Sequence, residues 1–294
     1  MLGRIREREN MIPGKFAYAK PSSVAEATAM LKEDADEVYV LAGGQSIISM
    51  MKLRQSAPRR LIDLNGIDEL RAIEVGADEI SIGAMATQHQ VINDAKLAEA
   101  CPLLAEAAAQ IADPQVRYRG TIGGNAANGD QANDMPAVMQ ALDAEYVLAS
   151  ADGERSVKAR DFYEGGLETE RAENEILVRI KIPRPAAGHG WAYVKQKRKT
   201  GDYATAAVAV LLRKDGGGFA DVALGLTNVA DVPVCATEAA ELLKGPGDAE
   251  AAAAKAAELA DPPEMDPRGP AEFRRHLVAV LAKEAIAAAA ARAK

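Results

Sequence analysis

Apolar residues at positions 24, 27, 30 and 31 recur at helical spacing behind Pro21-Ser22-Ser23, which predicts an N-capped helix through Val24–Leu31. The pattern then becomes continuous. Val38–Ala42 reads as a short strand, Gly43-Gly44-Gln45-Ser46 turns it into an apolar helix over Ile47–Leu53, and Arg60–Leu64 reads as a second strand. Strand, helix, strand is the grammar of a βαβ unit on a small parallel sheet. Short strands are predicted next at Leu70–Ile73, Glu79–Ile82 and Tyr146–Ala149, interrupted by helices at Gln88–Asn93 and Leu97–Ala112. Val178–Ile182 alternates as V-R-I-K-I until Pro183 ends it, so residues 66–183 read as an α+β sheet domain. Beyond the PRPAAGH segment at 183–189, Ala204–Leu212 and Ala220–Leu226 predict antiparallel strands about the turn at Asp215–Gly218. Two Ala-rich helices, Ala249–Ala260 and Phe273–Ala293, flank a Pro-rich linker at 261–270, and Leu259, Leu277, Val280 and Leu281 give them a packing stripe. The expected divisions are an N-terminal extension over 1–10, then 11–65, 66–185 and 186–294; Met11-Ile12-Pro13 reads as a second start.

Composition narrows the function. The 294 residues are 48% apolar and 27% charged, the balance of a soluble globular protein. Lys plus Arg number 35 against 43 Asp plus Glu, a net charge of −8, and no segment gathers the basic cluster that a nucleic-acid surface needs. No apolar run approaches the roughly 18 to 20 residues that span a bilayer. Met1–Asn10 is charged and lacks the apolar stretch of a signal peptide, so the expected location is cytoplasmic. Cys101 and Cys235 cannot supply the four thiolates of an iron–sulfur cluster, and His89, His189 and His276 lack metal-ligand spacing. G-x-S-x-G is absent, and no catalytic or metal residue is assigned. Any redox chemistry here must ride on an organic cofactor.

Two glycine segments stand out. Ala42-Gly43-Gly44-Gln45-Ser46 lies between a strand and a helix, and Gly120-Thr121-Ile122-Gly123-Gly124-Asn125 follows the turn residues Asp113-Pro114. Adjacent glycines permit positive φ and close approach of backbone to a ligand, and successive N–H groups can form an anion nest. Two such loops face to face could hold both halves of a pyrophosphate with no basic side chain, and neither contains one. Each alone is also ordinary turn chemistry. Neither is a G-x-G-x-x-G or Walker motif; Gly124 and Gly129 have the Walker spacing, but Asp130 stands where the lysine belongs.

The segments MIPGKFAY (11–18), LAGGQS (41–46), IGAMATQ (82–88), IADPQVRYRGTIGGNAANGD (111–130), NDMPA (133–137), KRKTGDYATAA (197–207), GLTNVA (225–230) and RGPAEFR (268–274) occur in this order. Together they resemble the FAD-binding medium subunits of molybdenum hydroxylases, most of all those of aerobic carbon monoxide dehydrogenases. The resemblance covers nearly the whole chain from Met11, with two departures: Gln45 where the carbon monoxide enzymes have His, and the extra N-terminal residues. It implies an α+β fold, with a two-part FAD domain of the PCMH or vanillyl-alcohol-oxidase type followed by a smaller C-terminal domain of antiparallel sheet and helices. It implies a dimer of heterotrimers in which a large subunit holds molybdenum and substrate and a small subunit holds two [2Fe–2S] clusters. The medium subunit holds FAD and passes electrons to a quinone or other acceptor. The complex would be cytoplasmic, with peripheral association at the inner face of the cytoplasmic membrane also open.

Carried over by position, Val40, Leu41, Ala42, Gly43, Gly44, Gln45, Ser46 and Ile47 would enclose the FAD pyrophosphate with Gly120, Thr121, Ile122, Gly123, Gly124 and Asn125. Ile111 and Ala112 would line the cofactor, and Asp134 would accept hydrogen bonds from ribityl or ribose hydroxyls. Leu177, Lys195 and Tyr203 match positions around the isoalloxazine, the tyrosine stacking on it and the lysine favouring its reduced anion. By itself Asp134 also reads as a helix N-cap, Lys195 as part of a solvated basic run, and Tyr203 as a half-buried strand aromatic. Three alternatives stay open. One is the medium subunit of a related hydroxylase of N-heterocycles, purines or aldehydes; another is a free-standing flavoenzyme. The third is a non-catalytic interaction protein, which leaves the paired glycine segments unexplained.

Overall fold

The computed structural model describes residues 12–33 and 37–294; the extension over Met1–Asn10 and the start at Met11 lie outside the described residues. The first unit contains β1 (Ala17–Ala19), α1 (Val24–Glu33), β2 (Val38–Leu41), α2 (Ile47–Lys52) and β3 (Arg60–Asp63). Its three strands are parallel in the order β1-β3-β2. Ala27 and Leu31 of α1 pack with Val38 and Ile62 on one face of this sheet, the stripe that the helical spacing of the sequence anticipates.

Two 3-10 turns, Leu64–Gly66 and Asp68–Arg71, lead into the second unit. It comprises β4 (Ile73–Val75), β5 (Glu79–Gly83), α3 (Gln88–Asn93), α4 (Ala95–Ala100), α5 (Pro102–Gln110), α6 (Pro114–Arg117), α7 (Ile122–Ala127) and α8 (Asp134–Ala141). The chain continues through β6 (Glu145–Ser150), β7 (Gly153–Lys158), β8 (Tyr163–Gly165), β9 (Glu168–Thr169) and β10 (Ile176–Pro183). The main sheet runs β4-β5-β10-β6-β7, antiparallel throughout, with β8 and β9 as a separate ribbon. Both faces of its centre are buried. Tyr146 and Leu148 of β6 join the core under the helices, while Val147 and Ala149 join the core shared with the first unit.

Two expectations are corrected here. Leu70–Ile73 is not one strand: Ile67 and Leu70 are both buried around a 3-10 turn, where residues three apart eclipse, and the strand starts only at Ile73. The single helix over Leu97–Ala112 is two helices meeting at Cys101, because Pro102 has no N–H to continue α4 and instead opens α5. The second helix ends at Gln110, and Ala112 takes a left-handed conformation at φ +43°.

The third unit holds β11 (Gly190–Gln196), β12 (Ala206–Asp215), β13 (Gly218–Thr227), β14 (Val234–Cys235), α9 (Thr237–Glu241), α10 (Ala249–Glu258) and α11 (Ala271–Arg292). Its antiparallel sheet runs in sequence order, and the hairpin closes at the glycine turn expected from the sequence. Strand β12 divides by parity. Val208, Val210 and Leu212 face the Ala-rich helices, whereas Ala207 and Ala209 face the second unit.

Gly225 of β13 lies so close to the Ala137 carbonyl of α8 that a Cβ would collide with backbone. A Gly225→Val variant should therefore lose stability by about 1–3 kcal/mol, the cost of overpacking a rigid contact. Thermal unfolding measures it, and an unchanged midpoint would show that the third unit does not dock through this strand.

Candidate functional site

The first glycine loop begins where β2 stops. Val40 and Leu41 are its last strand residues, Ala42 to Ser46 turn the chain, and Ile47 opens α2. Gly44 sits at φ +76°, a left-handed conformation that a residue with a Cβ adopts at a cost of about 1–2 kcal/mol. Among the described residues no acceptor meets the N–H groups of Gly44, Gln45 or Ser46, and the Ser46 hydroxyl caps nothing.

The loop is held from behind. Asn65 Nδ2 donates to the Ala42 carbonyl at 3.0 Å and to Asp63 Oδ1 at 2.6 Å. Asp63 also accepts the Asn65 amide at 2.9 Å and the Tyr18 hydroxyl at 2.5 Å. Arg71 donates to Asn65 Oδ1 at 2.9 Å and to the Met85 carbonyl at 3.4 Å, tying the loop to the second unit. Burial pushes the Asp63 carboxyl up, but the bonds from Tyr18 and Asn65 outweigh it and hold it below the usual carboxylate range.

The second glycine segment lies against the first. A Cβ on Gly43 would strike the Arg119 carbonyl, Gly124 has the Ala42 methyl 3.6 Å from its Cβ position, and Gly120 has Gln45 Cγ at 3.7 Å. Its amides are not free, which corrects the expectation of two symmetric nests. Thr121 caps α7, and the N–H of Ile122 donates to Ala86 O at 2.9 Å and that of Gly123 to Ala84 O at 2.9 Å. The N–H of Gly124 donates to Thr121 Oγ1 at 3.0 Å, and that of Asn125 to Thr121 O at 3.0 Å. Only the Thr121 amide in Thr121–Asn125 lacks an acceptor among the described residues. Asn125 points its carboxamide oxygen at the Met135 amide, 3.1 Å away, so it caps α8. Glycine is needed in this segment for backbone packing, since a Cβ on Gly123 would meet Ala84.

Asp134 is the first residue of α8, and Asn133 is its N-cap. Both carboxylate oxygens are engaged by this chain: Oδ1 accepts the Tyr193 hydroxyl at 2.5 Å and Oδ2 the Lys195 ammonium at 2.9 Å. Asp134, expected to accept from a cofactor hydroxyl, meets two donors of this chain, one on each oxygen, which leaves lone pairs on both for such a hydroxyl. Burial pushes its carboxyl up, opposed by the Lys195 ammonium and the Tyr193 phenol. Burial and the neighbouring carboxylate drive the Tyr193 hydroxyl well above its usual range. Lys195 also donates to the Gln110 carbonyl at 3.2 Å, and its side chain is 0% exposed, so it does not belong to a solvated run. Its third N–H has no acceptor among the described residues.

Gln110 leads directly to Ile111 and Ala112, whose carbonyls both accept from Arg117, at 2.7 and 3.3 Å. Gly201, at φ +82°, has Ala112 3.9 Å from its Cβ position. Two residues on, Tyr203 is 48% exposed, and burial of its hydroxyl side pushes that group up with Asp130 adding to the effect. Leu177 is buried in β10 opposite Leu148. Apart from Leu177, which sits in the core between β10 and β6, the expected residues thus form a connected run from the first loop through α7, α8 and Lys195 to Ala112 and the segment bearing Tyr203. Sequence reasoning missed Asn65, Arg71, Arg117 and Tyr193. The last had a usable signal, Tyr193-x-Lys195 at strand spacing.

Residues 14–185 match the family described as the FAD binding domain in molybdopterin dehydrogenase, and residues 191–289 match the CO dehydrogenase flavoprotein C-terminal domain. The carbon monoxide dehydrogenase medium chain of Afipia carboxidovorans is 48% identical over 97% of this chain and 100% of its own length. That of Hydrogenophaga pseudoflava is 44% identical over 96% of this chain and 99% of its own. A chain of reconstituted CO dehydrogenase from Oligotropha carboxidovorans superposes with a TM-score of 0.94 at 47% identity, covering 96% of this chain and 100% of that one.

A side chain at Gly44 opposes the positive φ that turns the loop. Gly44→Val should weaken FAD binding about tenfold or more while far-UV circular dichroism stays unchanged. Fluorescence titration of the apo chain reads this directly, and an unaltered affinity would mean that the loop does not hold the cofactor.

Proposed function

This chain belongs to the family of FAD-binding medium subunits of molybdopterin dehydrogenases, and on that premise we propose that it is the flavin-bearing electron-transfer subunit of a carbon monoxide dehydrogenase. The observation that carries the reading is the set of unpartnered amides on Gly44, Gln45 and Ser46, on a loop packed directly against the second glycine segment. Those amides and that of Thr121 fit pyrophosphate oxygens, which accept from backbone donors without a basic side chain. The buried Lys195 ammonium fits as well, since its spare N–H calls for an acceptor that the described residues do not supply. FAD bound there supplies a carrier that takes up electrons singly and releases them in pairs.

The residues of this chain then have limited tasks. Asn65 and Arg71 keep the first loop open towards the cofactor. Ile111, Ala112 and Leu177 contribute apolar or backbone surface that keeps water out. Tyr203 covers one face of the ring system, the offset contact that an aromatic side chain makes with a flavin. No proton need be abstracted here, and the Cys101 thiol, pushed up to about 12 by full burial, is no nucleophile. Among the described residues no three His, Cys, Asp or Glu side chains come together as a metal site, and no helix is long and apolar enough to cross a membrane. The molybdenum centre and the iron–sulfur clusters belong, in this reading, to large and small partner subunits in a dimer of heterotrimers. Electrons leave to a quinone or a similar acceptor, with the complex in the cytoplasm or at the inner face of its membrane.

Purified alone, the chain should bind one FAD and contain neither iron nor molybdenum, and it should not oxidise carbon monoxide with any dye. Assembled with its partner subunits, addition of carbon monoxide should bleach the flavin absorbance. Bleaching by an N-heterocycle or an aldehyde instead would overturn the substrate and keep the flavin. A chain that takes up no FAD would overturn both.

A further inference from the structure

Lys195 and Asp134 form an ion pair inside the protein, and a third residue completes it. The Tyr193 hydroxyl donates to Asp134 Oδ1 at 2.5 Å, leaving Oδ2 for the Lys195 ammonium at 2.9 Å. Tyr193 is 2% exposed, and its main chain is fixed independently of the phenol: its N–H donates to Glu106 Oε1 at 2.8 Å and its carbonyl accepts Gln110 Nε2 at 2.9 Å. Of the three ammonium hydrogens, one goes to Asp134, one to the Gln110 carbonyl, and the third to nothing in the described chain.

We propose that Tyr193 is a positioning residue for the flavin: by occupying Asp134 Oδ1, its hydroxyl keeps the carboxylate from drawing in the third N–H of Lys195, which stays turned to the cofactor. The inference rests on the flavin reading above and adds a residue that need not touch the flavin. The physical reason is satisfaction of buried polar groups. A buried carboxylate oxygen without a donor is costly, and it recruits the nearest unspent donor. Once the phenol is gone, that donor is the Lys195 ammonium. Its positive charge then moves back from the cofactor towards Asp134, so reduced flavin loses stabilisation.

The test uses the full chain, titrated with FAD and then poised in a redox titration. Tyr193→Phe removes one oxygen and keeps the ring, so the strand should hold. FAD should bind about tenfold more weakly, the loss of one charge-assisted hydrogen bond, and the midpoint potential of the bound flavin should fall. Asp134→Asn should raise the potential, because it releases the ammonium from its counter-charge. In the Asp134→Asn background, Tyr193→Phe should add nothing. Lys195→Met should lower both affinity and potential. If Lys195→Met and Asp134→Asn move the flavin while Tyr193→Phe alone leaves affinity and potential at wild-type values, the positioning role is wrong and the flavin site stands. An undiminished Tyr193→Phe effect in the Asp134→Asn background would also sink it. Indifference to Lys195→Met and Asp134→Asn would instead remove this corner from the flavin site.

Discussion

Asn65 holds the Ala42 carbonyl where β2 gives way to the first glycine loop. Because a peptide is planar, that one hydrogen bond fixes the plane joining Ala42 to Gly43, from which the loop turns into three amides without an acceptor among the described residues. It works only because Asn65 is itself immobilised, by Asp63 within the first unit and by Arg71 from the second. At Gly43 and Arg119 the units approach backbone to backbone, with the Ala42 methyl and Gln45 packed beside them against Gly124 and Gly120. The two glycine segments acquire unequal tasks. One exposes amides; the other spends most of its own on Ala84, Ala86 and Thr121 and serves as a wall.

A second polar knot secures the third unit. Burying an ion pair costs desolvation on both partners, and a pair such as Asp134–Lys195 is weak evidence for stability. Apolar contact between α8 and the β12–β13 hairpin would join the units without it. Its chemistry makes sense as a means of bringing a charge into the interior at a defined place. Glu106 and Gln110 support that view, because both spend their side chains on the main chain of Tyr193.

How legible this was depends on what each strand faces. Val38–Leu41, Glu145–Ser150 and Ala206–Asp215 bury apolar side chains on one or both faces, and their apolar runs betrayed them within a few residues. Gly153–Lys158 is a polar edge strand with almost nothing buried, and no pattern marked it. Gly190–Gln196 was hidden for a different reason. Its W-A-Y-V run is apolar and Tyr193 lies in the hydrophobic core, but the strand follows the PRPAAGH segment directly and ends in the polar Lys195 and Gln196, so no alternation marks it. Tyr193 escaped because its hydroxyl partner, Asp134, is distant in sequence. The glycine segments were visible as composition, but the occupancy of the Ile122 and Gly123 amides depends on carbonyls at Ala86 and Ala84, far away in sequence and unreadable from it.

The proposed site draws its amides from the first unit, its wall from the second, and its lysine and half-exposed tyrosine from the third. A ligand gripped by all three is thermodynamically linked to their docking, because undocking any one dismantles it. Every order of magnitude in free FAD above its dissociation constant then adds about 1.4 kcal/mol to the cost of separating the units. The cofactor would act as a cross-strut as well as an electron carrier. Flavin-depleted protein should be conformationally looser than its fold suggests, and the yellow colour of a preparation becomes a gauge of how much of it is fully assembled within the single chain.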